Sequence, residues 1–98
     1  MNDDQLLKAH LNSETGKLSW LELQRHFARG VVIRVIPGVD LVEVAVCFSK
    51  DDNETVARLL ATGQIVRATD EDAHDWQHRD PLFWAVVVAP WVLVQEIG

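Results

Sequence analysis

His74 and His78 stand four residues apart. On a helix that spacing points both imidazoles at one place, with Asp70 or Asp75 close by. Zinc is the ion such a pair would hold. Closing a zinc site takes four ligands, or three and a water, and the chain offers no further His or Cys cluster to complete it. A solvated helical face is therefore the favoured reading of His74 and His78. A second concentration is basic: Arg25, His26, Arg29 and Arg34. Arg25 and Arg29 fall one helical turn apart, and Arg34 interrupts an otherwise apolar strand shortly afterwards. Guanidinium groups present paired N–H donors to carboxylates and phosphates, so this surface is the candidate site for a carboxylate, a phosphate or an acidic partner. Its competing use is ion pairing with Glu22, Glu43 or the acidic second half, where exposed pairs contribute little.

The remaining chemistry points away from catalysis, and no catalytic residue is assigned. Cys47 is the lone cysteine and sits inside Val44-Ala45-Val46-Cys47-Phe48, with no neighbour that would stabilise a thiolate. Burial as an inert thiol is its expected fate. Glu43 has no second titrating group to share general acid–base work, and is expected to pair across a hairpin with Arg34. The five glycines stand singly, so no loop cradles phosphates, and no serine lies in a nucleophile elbow. Trp84 and Trp91 flank the valines of the last strand. Most such tryptophans are core, but one on an apolar surface patch would serve self-association.

Charge narrows the partners. Fifteen acidic side chains against nine basic ones give a net charge of -6 at pH 7. The first 49 residues carry five basic and six acidic groups, and the rest carry four and nine, so the imbalance lies in the second half. Such a chain is repelled by nucleic-acid backbones and by anionic membranes, and neither is expected as a partner. The acidic Met1-Asn2-Asp3-Asp4 start has no secretion-signal blocks. The longest apolar run, Pro81 to Val94, is about fourteen residues, too short for a membrane-spanning helix. With one cysteine and no possible internal disulfide, a reducing cytoplasm is the expected location. No cofactor is expected.

Ninety-eight residues, 48% of them hydrophobic, suit one domain over residues 1–98 that needs no staple. Leu6, Leu7, His10 and Leu11 predict a short helix over residues 3–12, and Asn12 to Gly16 reads as a connection. Ser19-Trp20-Leu21-Glu22 has capping-box spacing, opening a helix whose stripe is Trp20, Leu21, Leu23 and Phe27 and whose stop is Gly30. Val31 to Ile36 and Leu41 to Phe48 are rich in β-branched residues around Pro37-Gly38, which predicts a β-hairpin. Asp51 or Asp52 caps a helix ending at Gly63, Gln64 to Ala68 forms a brief strand, and Thr69 caps a helix stopped by Asp80-Pro81. Leu82 to Val94 is apolar on both alternate faces and predicts one central, doubly covered strand, with Pro90 at a bulge, bend or edge. The fold class is α+β: two N-terminal helices, a β-hairpin, then α-β-α-β, with helices packed on a small mixed or antiparallel sheet.

Three runs, Leu18 to Gly30, Asp40 to Ala45 and Trp84 to Glu96, together resemble a family of small bacterial proteins of this length, catalogued only as a domain of unknown function. The resemblance covers about Leu11 to Glu96. It implies a bacterial, cytosolic, standalone domain and brings no activity, cofactor or catalytic residue with it. From the residues themselves, the leading expectation is a non-catalytic interaction or regulatory module whose partner is another protein or a second copy of itself. The alternative is a small-molecule or anion-binding protein, with an enzyme as one form of it, using Arg25, Arg29 and Arg34.

Overall fold

Ser19 starts the chain's best-specified helix. Its hydroxyl accepts from the Glu22 amide at 3.2 Å while the Glu22 carboxylate accepts from the Ser19 amide at 3.2 Å. Both partners meet orphan donors that a helix start would otherwise leave open. The computed structural model describes residues 3–97, and these form five helices and five strands. They are α1 (Asp3–Glu14), β1 (Gly16–Ser19), α2 (Trp20–Ala28), β2 (Val32–Val35), α3 (Leu41–Ser49), α4 (Asn53–Ala61), β3 (Ile65–Arg67), α5 (Asp70–Arg79), β4 (Leu82–Val88) and β5 (Trp91–Glu96). No described helix is long and apolar enough to cross a membrane.

The strands form one mixed sheet in the order β1-β4-β5-β2-β3. Only the β2–β5 pair is parallel, and the other three pairs are antiparallel. Side chains alternate across a pleated strand, so each strand feeds both faces. On one face Ile33, Val35, Val86 and Leu93 join Leu11 of α1 with Leu41, Val44 and Ala45 of α3. On the other, Val32, Phe83, Val92 and Val94 join Trp20 and Leu23 of α2 with Trp76 of α5. The second face is an aromatic chain: Trp20 to Trp76 at 5.5 Å, and Trp76 to Phe83 at 5.0 Å, ring centre to ring centre. The indole N–H of Trp20 donates to Gln77 Oε1 at 2.8 Å, which satisfies the polar end of a buried ring and ties α2 to α5.

The α+β class and the small mixed sheet match the reading of the sequence, but three segments do not. The expected hairpin over residues 31–48 has only its first strand. Leu41 to Ser49 is helix α3, and β2 pairs instead with β5 and β3. Asp40 decides it: one carboxylate oxygen accepts from the amides of Val42 at 3.0 Å and Glu43 at 3.3 Å, an N-cap that the alternating valines conceal. Valine gives up at most ~0.7 kcal/mol of helix propensity per residue. Each of Leu41 and Val44, 6% and 2% exposed, returns ~1.5–3 kcal/mol by burial. Burial wins. The expected cross-strand pair goes with the hairpin: Glu43 meets Lys8 of α1, and Arg34 meets Asp72 of α5. Pro37-Gly38 does make a turn, closed by Val39 N–H to Ile36 C=O at 3.3 Å with Gly38 at φ +92°, but it turns the chain into a helix.

The second correction concerns Leu82 to Val94, which is two strands. β4 and β5 fold back on each other through Ala89-Pro90, whose peptide bond is cis. Both lie inside the sheet, β4 between β1 and β5, and β5 between β4 and β2. That placement accounts for apolar residues on both faces of a run that a single strand explained equally well. β1 falls on residues read as a connection and helix start. Being four residues long with Gly16 and Lys17 exposed, it carries almost no apolar periodicity.

Because Phe83 is fully buried against Trp76 while Leu21 is 75% exposed, the two truncations should separate. Phe83→Ala is expected to cost about 3–5 kcal/mol, and Leu21→Ala to stay within about 0.5 kcal/mol, both in urea unfolding followed by tryptophan fluorescence. Comparable losses for the pair would contradict the burial assignment.

Candidate functional site

The α3–α4 helical pair leans on the sheet without closing against it. Between α3, α4 and the β4–β5 turn lies a cleft of about 400 Å³. Its walls are Ile33 from β2, Phe48 from α3, Val56 and Leu60 from α4, and Trp91 from β5. Phe48 and Trp91 meet edge to face at 6.5 Å, which orients the indole as a flat side wall. Polar groups are few: Cys47 in the wall, Asp51 and Asn53 at the α3–α4 connection, and Arg67 at the end of β3. A concave, mainly apolar space with a handful of placed polar atoms is the usual form of a small-molecule site.

Arg67 is the best-defined of those polar groups. Register places it opposite Ile33, hence on the face covered by α3 and α4. Its Nε and Nη2 donate together to the Gly30 carbonyl, at 3.1 and 2.7 Å, and its guanidinium carbon lies 5.6 Å from the centre of the Trp91 ring. Gly30 is suited to this on two counts. Its φ of +74° is a left-handed value at the end of α2, and a Cβ there would come within 3.2 Å of Arg67 Nη2. The guanidinium is thus held from one edge and one face.

Cys47 behaves differently from a nucleophile. Burial first, and then the nearby Asp52 and Glu43 carboxylates, push its thiol above the ordinary value. Catalytic cysteines need the opposite environment.

Sequence-based candidates fare unevenly in space. Arg25 and His26 share a shallow hollow with Leu18, Leu21 and Glu22, but Arg29 and Arg34 are not part of it. Arg29 is the C-cap of α2. Arg34 Nε sits 3.3 Å from Asp72 Oδ1, within ion-pair range but without hydrogen-bond alignment. His74 and His78 do lie together, ring centres 4.6 Å apart, above Asp70, Glu71 and Asp75. Their neighbours are already engaged. His78 Nδ1 is 2.8 Å from the His74 carbonyl, and Asp75 takes both Nε and Nη2 of Arg79 at 2.6–3.0 Å, which holds its carboxyl below the usual range. Among the described residues no three His, Cys, Asp or Glu side chains are placed to share a metal ion. The two tryptophans part company. Trp91 is a cleft wall, while Trp84 is 38% exposed under Lys17, whose ammonium lies 5.3 Å from its ring.

Arg67 itself escaped the sequence reading. It ends a three-residue strand, and only the β2–β3 register and the α2–β2 connection bring Gly30 and Trp91 to it. Of the cleft's polar groups only Cys47 and Asp51 were singled out, the first as an inert thiol and the second as one of two candidate helix caps. The raised thiol generates a direct prediction. Alkylation of Cys47 should be slower near neutral pH than that of a free cysteine, and should keep rising with pH beyond the point where the free thiol levels off. A rate profile centred below the ordinary thiol value would contradict this environment.

Over residues 6–96 the chain matches the sequence profile of a family described as protein of unknown function (DUF2288). No curated protein matches it. It is similar to PA1075 from Pseudomonas aeruginosa, solved in solution by NMR, with 45% identity and a TM-score of 0.83 over 100% of this chain and 91% of that one. The overall fold therefore recurs in an experimentally determined structure. With all but a few terminal residues matched, the chain belongs to the DUF2288 family of proteins of unknown function.

Proposed function

We propose that this protein is a non-catalytic binding module, a cytoplasmic domain that takes up a small, largely apolar molecule between α3, α4 and the β4–β5 turn. The observation that carries this reading is the cleft itself. Its roughly 400 Å³ falls in the range of small-molecule sites, and its walls combine aliphatic side chains with an aromatic plate. What lines it argues against turnover. The titratable groups are Cys47, Asp51 and Arg67, with no histidine among the described lining residues. A thiol whose surroundings disfavour the thiolate is poorly suited to act as a nucleophile or a general base.

Fluorescence enhancement of a neutral apolar dye, N-phenyl-1-naphthylamine, tests the reading. Leu60, 48% exposed, lines the cleft, whereas Val87, 60% exposed, does not. Leu60→Glu should weaken dye binding about tenfold, the loss expected when one leucine contact of ~1.5 kcal/mol disappears. Val87→Glu should leave it unchanged. No saturable binding, or equal effects of the two substitutions, would refute the cleft as a site.

A second reading, self-association, draws on a different surface. Leu82 and Trp84 are 50% and 38% exposed on β4, beside β1, the short strand at the end of the sheet. An apolar pair next to a strand edge is a natural place for a second copy to dock. Sedimentation equilibrium at high micromolar concentration should then show a dimer that Trp84→Lys dissociates. A strict monomer rules it out.

A further inference from the structure

We propose that the molecule held in the cleft is an amphiphilic monocarboxylate, its apolar body against Phe48, Leu60 and Trp91 and its carboxylate on Arg67. This rests on the binding function proposed above and names its ligand class.

The argument starts from what Arg67 leaves unused. A guanidinium has five N–H donors arranged along its edges. The edge formed by Nε and Nη2 is spent on the Gly30 carbonyl. The outer fork, made by Nη1 and the second hydrogen of Nη2, makes no hydrogen bond among the described residues. Among the described residues no carboxylate stands within ion-pair distance of Arg67 either; Lys17, Arg25, Arg29 and Arg58 share that lack, but of these five cations only Arg67 lines the cleft. In a chain with fifteen acidic side chains, a cation left without a carboxylate, pinned by a carbonyl and leaning on an indole, is set to receive an anion from elsewhere. The free fork matches the two oxygens of a carboxylate, and its orientation costs little on binding because the other contacts already fix it.

Charge then limits the anion. The net charge of -6 and the Asp51 carboxylate lining the same cleft oppose a dianion far more than a monoanion. A phosphate ester or a dicarboxylate meets one arginine against that field. The apolar walls exclude a small bare anion such as acetate, which would leave Phe48, Leu60 and Trp91 uncovered.

Three matched probes test this on the intact protein by calorimetry at low salt: 2-naphthoate, its neutral isostere 2-naphthamide, and the dianion 2-naphthyl phosphate. The expected result is that 2-naphthoate binds roughly tenfold more tightly than the amide, the worth of one charge-assisted bidentate contact, and that the phosphate binds no better than the amide. In Arg67→Gln the preference for the carboxylate should vanish while amide affinity stays within about twofold, and Arg67→Lys should restore part of it, since lysine keeps the charge and lacks the fork. Unfolding curves of both variants show whether they remain folded, and the wild-type comparison stands without them. Equal binding of carboxylate and amide, tighter binding of the phosphate, or a preference that survives Arg67→Gln overturns the ligand class alone. Binding of none of the three overturns the cleft reading as well.

Discussion

Val92, Leu93 and Val94 follow one another on β5 and are 2%, 0% and 0% exposed. Successive strand residues point to opposite faces, so three buried in a row require cover on both sides of the sheet. That constraint organises the molecule. It calls for one helical layer of α1, α3 and α4 and another of α2 and α5, and it places β5 between β4 and β2. Everything polar that matters is arranged around it. Gln95, next on the same strand, sends its amide to the carbonyls of Ile36 and Val39 at 2.9 and 2.6 Å. This holds the β2–α3 connection over the end of the strand that it must cover.

The two layers are packed by different means. On the α2–α5 face large rings fill the space, and the polar tip of one buried ring, the Trp20 indole N–H, is answered by Gln77. On the other face smaller aliphatic side chains from α1 and α3 meet the sheet, and α4 contributes only partly buried residues, Val56 and Leu59. Aliphatic packing under a short, marginal helix leaves room that aromatic packing does not. The cleft is that room. It lies between α3, α4 and the β4–β5 turn, and Trp91 and Phe48 meet in its wall.

Electrostatics on this scaffold is mostly local. Lys8 with Glu43 and Lys50 with Asp4 are exposed pairs that tie α1 to α3 and its C-terminal end, and Arg79 bridges Asp75 and Glu96 at the other end. Screened pairs of this sort add little stability but absorb charge. Arg67 differs because its partners are a carbonyl and a ring, neither of which neutralises it. Among the described Lys and Arg side chains without an ion pair, Arg67 is the one that lines the cleft.

Local signals in the residues were enough for most helix boundaries. Ser19, Asp52 and Thr69 each cap a helix through its third amide, and Gly30 ends α2, because caps and left-handed stops depend on chemistry within four residues. Composition likewise sufficed for the α+β class and for the doubly covered C-terminal run. Tertiary structure decided what local pattern leaves degenerate. Alternating valines in α3 read as strand until burial against the sheet outweighs their propensity, and one apolar run reads as a single strand until its two halves pair. The candidate site was out of reach for the same reason. Arg67, Gly30 and Trp91 are brought together only by sheet register, a long-range property that no stretch of neighbouring residues encodes.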